Sequence, residues 1–578
     1  MTESFSFPLN VYARLLELQE GRVDYLHFGV FERPDEPVLA AQQRASDLLW
    51  QALPPAGRLL EVGIGLGTTL ARLRREGWSP LGITPEAAQI DVAQRRHGPG
   101  LPLQCVRLED LGAAAGPFDT LLFQESAQYV APLEIFAAAD RLLVEGPAHL
   151  VVMDEFALDR RDAEHWGLHH RGHFIALAQR CGWRLQQHTD LSLAVQPTLT
   201  YLIDGIRRWR ARLLADLPVT PVQMDELDAA LHRVQGLYAQ GLQGYGLLRF
   251  ERDHRPAVTP VRVGAGQTAE VQALFSEVFG HPLSDAEWAW KYGAWRGRAL
   301  GLRRDGRLLA HMGGITRPVW HQGERFAACQ VCDVIVHPSL RSGLSRQGAL
   351  NALTATFLES EIGWGLPNRV GFGFPTDRAF GAAERLGFYA AVDHMDAASW
   401  PAAPAVVQRT QDLQLGDLQP GRAEAAEVDA LWREMRDERQ SSLLGERDAA
   451  WLRHRYLSHP RFRYRVVMLR SRWQGAALGV AVWREHEDHL EWVDWVAGAA
   501  RLPELLRCVR SQAAKAGKAR VEAWITASHR PVLQRLAPAD VTWRPLGITV
   551  PTNVHSPGPP AEALRSRWWL TAGDTDFR

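Results

Sequence analysis

The tightest constraint on the fold of this chain is the run Leu59-Leu60-Glu61-Val62-Gly63-Ile64-Gly65-Leu66-Gly67-Thr68-Thr69. An apolar stretch, long enough for a buried strand, breaks into alternating glycines and then enters a helical pattern. Gly63, Gly65 and Gly67 can take positive φ and carry no side chain, so a ligand can lie on bare backbone. The helix that follows offers free N–H groups in its first turn. Alone, a Gly-x-Gly-x-Gly turn suits a nicotinamide or flavin as well as other nucleosides. A nicotinamide site usually wants an acidic residue at the end of the second strand, and Thr84 stands there.

The rest of the chain sets that turn inside a larger plan. At roughly 100–200 residues per domain, 578 residues predict three or so domains. A hydrophobic content of 46% and a charged content of 23% are those of an ordinary globular protein. The formal net charge of −1 gives no electrostatic case for nucleic acid or an anionic membrane. The N-terminus lacks the basic region and apolar run of a signal peptide. No uncharged apolar stretch of about 20 residues occurs, so a cytoplasmic location without membrane insertion is expected. Arg exceeds Lys and Ala is abundant, a usage associated with GC-rich bacterial genomes. Cys329 and Cys332 form a C-x-x-C, but a zinc site needs about four ligands and no second pair exists. The pair falls in an apolar run read as a strand, and no metal is expected.

Candidate strands at 58–62, 80–84, 103–108, 120–123 and 149–154 alternate with helical patterns such as 69–76 and 86–95. Such alternation predicts a parallel sheet with crossover helices. Linkers near 251–256 and 400–405 divide the chain into 1–250, 260–397 and 418–578. The last two segments share a plan. Asp285-Ala286-Glu287-Trp288 with Tyr292 is echoed by Asp448-Ala449-Ala450-Trp451 with Tyr456, which suggests duplication. In the third segment Trp492, Trp495 and Trp524 read as core. Histidines at 165, 169, 170 and 173 form no His-Glu-x-x-His pattern and read mainly as a solvated helix face.

The motif Glu61-x-Gly63-x-Gly65-x-Gly67 resembles motif I of the class I S-adenosylmethionine-dependent methyltransferases. Gly82-Ile83-Thr84 with Gln89, and Tyr25-Leu26-His27-Phe28-Gly29, resemble the cyclopropane-fatty-acid synthase and small-molecule methyltransferase branch. The resemblance covers roughly residues 20–200. It implies that Glu61 orients the methionine amino group, that Gly63, Gly65 and Gly67 lie under the donor, and that Thr84 stands at the ribose. A hydroxyl there is a departure from the usual acidic ligand. Glu109 and Asp110 would meet the adenine, and Gln124 would floor the pocket. The candidate groups for acceptor deprotonation are Glu125, Tyr129 and Asp154, with Glu155 beside them.

A second resemblance begins at Gln330–His337, read as a strand, followed by Arg341-Ser342-Gly343-Leu344-Ser345 and a helical pattern. With Leu386-Gly387-Phe388 downstream, this order resembles the GNAT acyltransferases. It implies that Val336, Arg341, Gly343 and Ser345 hold the acyl-CoA. The loop is one residue shorter than the family's. The family's usual tyrosine acid maps to Ala383, which leaves Asp333 or Tyr389 as substitutes. The third segment has no such loop and is expected to complete the substrate cleft without catalysing.

The expected fold is α/β: an N-terminal Rossmann-like methyltransferase sheet followed by two GNAT-like α+β domains. The expected function is a bifunctional small-molecule enzyme using S-adenosylmethionine and acetyl-CoA or another acyl-CoA. The substrate is a small molecule, free or carrier-bound. Two alternatives stay open at this point. In one, only methyl transfer occurs and the GNAT-like half presents the substrate. In the other, only acyl transfer does. The oligomeric state is open.

Overall fold

A computed structural model describes residues 5–159, 167–293, 296–341, 348–405 and 409–577. The chain forms two compact units, one of residues up to Val261 and one from Arg262 onward.

The first unit is built on strands β1 (Arg58–Val62), β2 (Ser79–Thr84), β3 (Leu103–Cys105), β4 (Thr120–Gln124), β5 (His149–Ala157), β6 (Trp183–Asp190) and β7 (Gln243–Arg252). Their order is β3-β2-β1-β4-β5-β7-β6. β1 to β5 run parallel, and β7 runs antiparallel to both of its neighbours. β1 is buried on both faces from Leu59 to Val62, with Glu61 the one charged residue among them, as a parallel strand covered by helices on each side must be. β3 is shorter than expected, because the chain turns into a 3₁₀ segment at Leu108–Asp110. The chain reverses its course where β1 leads to β2 on one side and β4 continues the sheet on the other. Ligands in open α/β sheets bind at such switch points, outside the strands' carboxyl ends.

The second unit holds two sheets. One is formed by β8 (Thr259–Val263), β9 (Gly297–Arg304), β10 (Arg307–His321), β11 (Glu324–Val336) and β12 (Val370–Phe372). The other contains β13 (Tyr389–Pro401), β14 (Arg409–Asp412), β16 (Arg465–Arg470), β17 (Ala477–Glu485), β18 (His489–Val496), β19 (Arg520–Thr526) and β20 (Thr542–Asn553). Two short strands, β15 (Leu443–Gly445) and β21 (Trp568–Trp569), come from the last third of the chain and extend the first of these sheets at β10. Conversely β13, which follows the Leu386-Gly387-Phe388 turn, lies between β19 and β20 in the other sheet. Strands are thus exchanged across the expected boundary near 397–418.

The exchange rests on a continuous apolar core. Trp400 of β13 packs on Trp492 of β18, which in turn packs on Trp495, all fully buried. Trp524 is buried as well, so the aromatic run in the last segment is core. Among the described residues no helix is long and apolar enough to cross a membrane.

Candidate functional site

In the first unit the glycine turn takes the conformation its residues permit. Gly63, Gly65 and Gly67 have φ of 78°, 51° and 73°. Gly67 is the N-cap of the helix Thr68–Arg75. A Cβ on Gly63 would stand 2.6 Å from the Ser126 Cβ, whereas one on Gly65 would meet nothing within 4 Å. Gly63 therefore packs against β4's end, and Gly65 faces open space where a ligand can approach.

Glu61 sits beside this turn, 2% exposed, and its Oε2 has no hydrogen-bond partner. Burial pushes its carboxyl up to about 8. A buried carboxyl left unsatisfied is costly. One beside a glycine turn fits an incoming ammonium group. The Gln124 amide nitrogen is likewise buried without a partner, while its carbonyl oxygen accepts from Thr69 Oγ1 at 3.1 Å. These free groups and the bare backbone suit the amino-acid end of an S-adenosyl ligand. Thr84 is different: its hydroxyl donates to Gln89 Oε1 at 2.9 Å and accepts from the Glu86 N–H at 3.2 Å. Glu109 and Asp110 lie on the 3₁₀ segment after β3 instead of at a strand end, Glu109 half-buried and Asp110 exposed.

Three carboxyl groups gather near the end of β4: Glu125 directly follows it, and Asp154 and Glu155 lie within β5. Glu125 stands in the left-handed region at φ 52°, an uncommon conformation for a residue with a side chain. Its Oε1 accepts from the Phe28 N–H at 2.7 Å and from the Tyr245 hydroxyl at 2.6 Å. Burial raises its pKa to about 8. Asp154, 1% exposed, accepts from the backbone N–H groups of Gln128 and Glu155 at 3.1 and 2.8 Å, and burial raises its pKa to about 7. Glu155 is bound by the Tyr238 hydroxyl at 2.9 Å and the Gln243 amide at 2.8 Å, and burial raises it too. Tyr129 is 79% exposed at the rim. Of the histidines at 165–173, His165 lies outside the described residues, and His169 contacts the carbonyls of Ala127 and Val130 at 2.9 and 3.0 Å.

The segment 25–29 folds onto this cluster. Phe28 holds Glu125 through its N–H and stacks its ring on Tyr245 at 6.0 Å. Gly29 donates to Thr198 Oγ1, and Thr68 Oγ1 donates to the Asp24 carbonyl at 2.7 Å. Sequence reasoning found Glu125, Asp154 and Glu155 but missed Tyr238, Gln243 and Tyr245. The signal was Gly244-Tyr245-Gly246, an aromatic flanked by glycines at the start of β7.

In the second unit β11 pairs with β12 for only three residues, Ala328–Gln330, and then runs on to Val336. The two parallel strands therefore part and leave a gap beside Val331–Val336. Asp333 lies on this edge at φ 47°, where the pairing with β10 is bulged. Its carboxylate accepts from the Tyr292 hydroxyl at 2.7 Å and pairs with Lys291 at 2.9 Å, and Lys291 also pairs with Asp576 at 3.0 Å. Cys332, Asp333 and Asp576 are close enough to hold a metal ion, but the Lys291 ammonium stands between the two carboxylates. Lys291 and Tyr292 hold Asp333 below the usual carboxylate range. Val336 presents a carbonyl that accepts from Arg341 Nε at 3.0 Å. Gly343 and Ser345 lie outside the described residues. Tyr389 opens β13 with a buried hydroxyl that has no partner, and burial raises its pKa.

The duplication noticed in sequence extends to side-chain geometry. β18 and β19 also run parallel for three pairs before parting. There Tyr456 donates to Asp494 at 2.7 Å, as Tyr292 does to Asp333. In this copy the gap is filled by the chain's own end. Thr571 bridges to Ile525, its hydroxyl donates to Asp494 at 3.0 Å, and Asp574 pairs with Arg447 and Arg317.

Comparison with known proteins follows the same division. No curated protein matches the chain. Among solved structures, a probable N-acyltransferase of Enterococcus faecalis is 13% identical, covering 53% of this chain and 74% of its own, with a TM-score of 0.42. A putative sarcosine dimethylglycine methyltransferase of Galdieria sulphuraria is 15% identical over 42% of this chain and 98% of its own, with a TM-score of 0.36. Mycolic acid cyclopropane synthase CmaA1 is 15% identical over 43% and 97%, with a TM-score of 0.34. The family model of a methyltransferase domain matches residues 60–151, which span the glycine turn and the strands β1 to β4. That of an acetyltransferase (GNAT) domain matches residues 261–390, from β8 to the start of β13. The chain thus carries one region that matches a methyltransferase domain and another that matches a GNAT acetyltransferase domain.

Proposed function

We propose that the protein is a bifunctional enzyme of small-molecule biosynthesis. The segment 1–250 transfers a methyl group from S-adenosylmethionine. The segment 260–397 transfers an acyl group from acetyl-CoA or another acyl-CoA to an amine nitrogen, and 418–578 supports it without a CoA site of its own. The acceptor is a small molecule, free or carrier-bound. The observation that carries the reading is the unpaired, buried carboxyl of Glu61 beside a glycine turn with open space at Gly65. Glu61 holds the ammonium of the donor, Gln124 gives its free amide donors, and Gly63, Gly65 and Gly67 present backbone. The donor brings a methyl group already activated on a sulfonium, so the chain's task is alignment and removal of a proton. Glu125 and Asp154, raised by burial to about 8 and about 7, are matched to accept that proton near neutrality.

One observation favours a second reading, in which only methyl transfer occurs and the GNAT-like half presents the substrate. Asp333, a candidate base there, is committed to Lys291 and Tyr292. Calorimetric titration with S-adenosylhomocysteine, then with CoA and acetyl-CoA, separates the readings. Binding of both classes supports two working sites. Binding of S-adenosylhomocysteine alone supports the second reading, and binding of neither overturns both.

A further inference from the structure

A cavity of about 250 Å³ lies at the turn between β10 and β11, lined by Trp320, His321, Arg436, Asp437, Arg439 and Leu444 among others. It is slightly smaller than the usual ligand cavity of about 300–1,000 Å³ and suits a correspondingly small molecule. The site is rigidly built. His321 and Glu324 pair across the Gln322-Gly323 turn, where both central residues have positive φ, and the Gln322 N–H donates to the Gln440 carbonyl at 2.7 Å. Trp320 and Leu444 pair in register between β10 and β15.

Arg439 is the informative residue. It follows the helix Ala423–Glu438, its side chain is 8% exposed, and its Nε is buried with no hydrogen-bond partner. Among the described residues its charged partner is Glu438, at 3.4 Å. Its guanidinium lies over Trp569 at 4.4 Å, a stacking that occupies the face of the group and leaves its edge to donate to an acceptor. Buried guanidinium groups are normally paired and fully hydrogen-bonded; this one has its ion pair with Glu438 at 3.4 Å but leaves Nε without an acceptor. Arg436 stands beside it at the cavity, stacked on Trp320 at 4.5 Å, and its Nε donates to Asp437 at 2.8 Å.

We infer that this cavity binds a small organic monoanion, its carboxylate on Arg439 and its apolar body against Trp320 and Leu444. A single charge fits better than a dianion. Asp437 and the carbonyl end of the helix already balance much of the cationic charge, and the unused donors of Arg439 are those of one carboxylate fork. The cavity is separate from the gap beside β11 and β12. Asp333 lies at the other end of β11, roughly 30 Å away at about 3.3 Å rise per residue.

The test is calorimetry and thermal unfolding of the full chain with benzoate as probe, and with inorganic phosphate in parallel. Saturable benzoate binding is expected, raising the unfolding midpoint of the second unit by a few degrees as a ligand of the folded state must. Arg439→Gln should weaken it at least tenfold. Arg436→Gln, at a side chain 25% exposed and so safe for folding, should weaken it several-fold. No saturable benzoate binding, binding of phosphate alone, or binding that survives both substitutions would overturn the inference.

Discussion

Glu61, with a pKa near 8 in the fold against about 4.3 in an unfolded chain, takes up its proton preferentially when folded. Its stabilising contribution is full below the unfolded value and is lost as pH rises through the folded one. Glu125 and Asp154 act in the same direction, to about 8 and about 7. The ligand-free first unit should therefore lose stability between about pH 4.5 and pH 8. Scanning calorimetry should show its midpoint falling over that window, and Glu61→Gln should flatten the fall. Gly63→Ala should cost about 1–3 kcal/mol, because a side chain at φ 78° is strained and its Cβ would stand 2.6 Å from that of Ser126. Gly65→Arg should instead fill the open space and abolish S-adenosylhomocysteine binding. A Gly65→Arg protein that binds normally would place the ligand elsewhere. The residues Glu61, Gly63, Gly65 and Gly67 were legible in the sequence because they are contiguous. Tyr245 was not, because its bond to Glu125 spans 120 positions and depends on how β7 is inserted beside β5.

At the scale of elements, the echo of Trp288 and Tyr292 in Trp451 and Tyr456 pointed to a repeated helix. Its partners were hidden, since Asp333 and Asp494 lie 41 and 38 residues downstream. The two copies place the same tyrosine–aspartate pair at the same parting of parallel strands, and in the second Thr571 and Asp574 fill it. There Arg447 is fully buried between Asp494 and Asp574. Asp494→Ala should destabilise by about 3–5 kcal/mol, the usual cost of breaking a buried ion pair from one side. Tyr292→Phe should cost about 1–2 kcal/mol, since Lys291 still holds Asp333. Urea titration measures both. Equal, small effects would mean that the buried network contributes little to stability.

At the scale of the molecule, the chain's last residues and its exchanged strands tie the second unit together. Arg455 donates to the carbonyls of Gly573 and Thr575 at 2.9 and 2.8 Å, and β13 depends on β19 and β20 for its pairing. A fragment of residues 260–397 should therefore fail to fold alone, while 262–578 should give a monodisperse, structured protein by size exclusion and circular dichroism. A soluble, cooperatively folded 260–397 would contradict the exchange. Trp400, read in sequence as the start of a linker, lies buried near the end of β13; the exchange was not legible, because local composition carries no record of which sheet a strand joins. The central claim is that Glu61 receives the ammonium of an S-adenosyl ligand, and the most direct test is calorimetric titration with S-adenosylhomocysteine from pH 6 to 8.5. Because Glu61 must give up its proton to pair, affinity should rise about tenfold per pH unit, level off near pH 8, and release a proton that Glu61→Gln abolishes. Binding that ignores pH, or a pH dependence that survives Glu61→Gln, would contradict it.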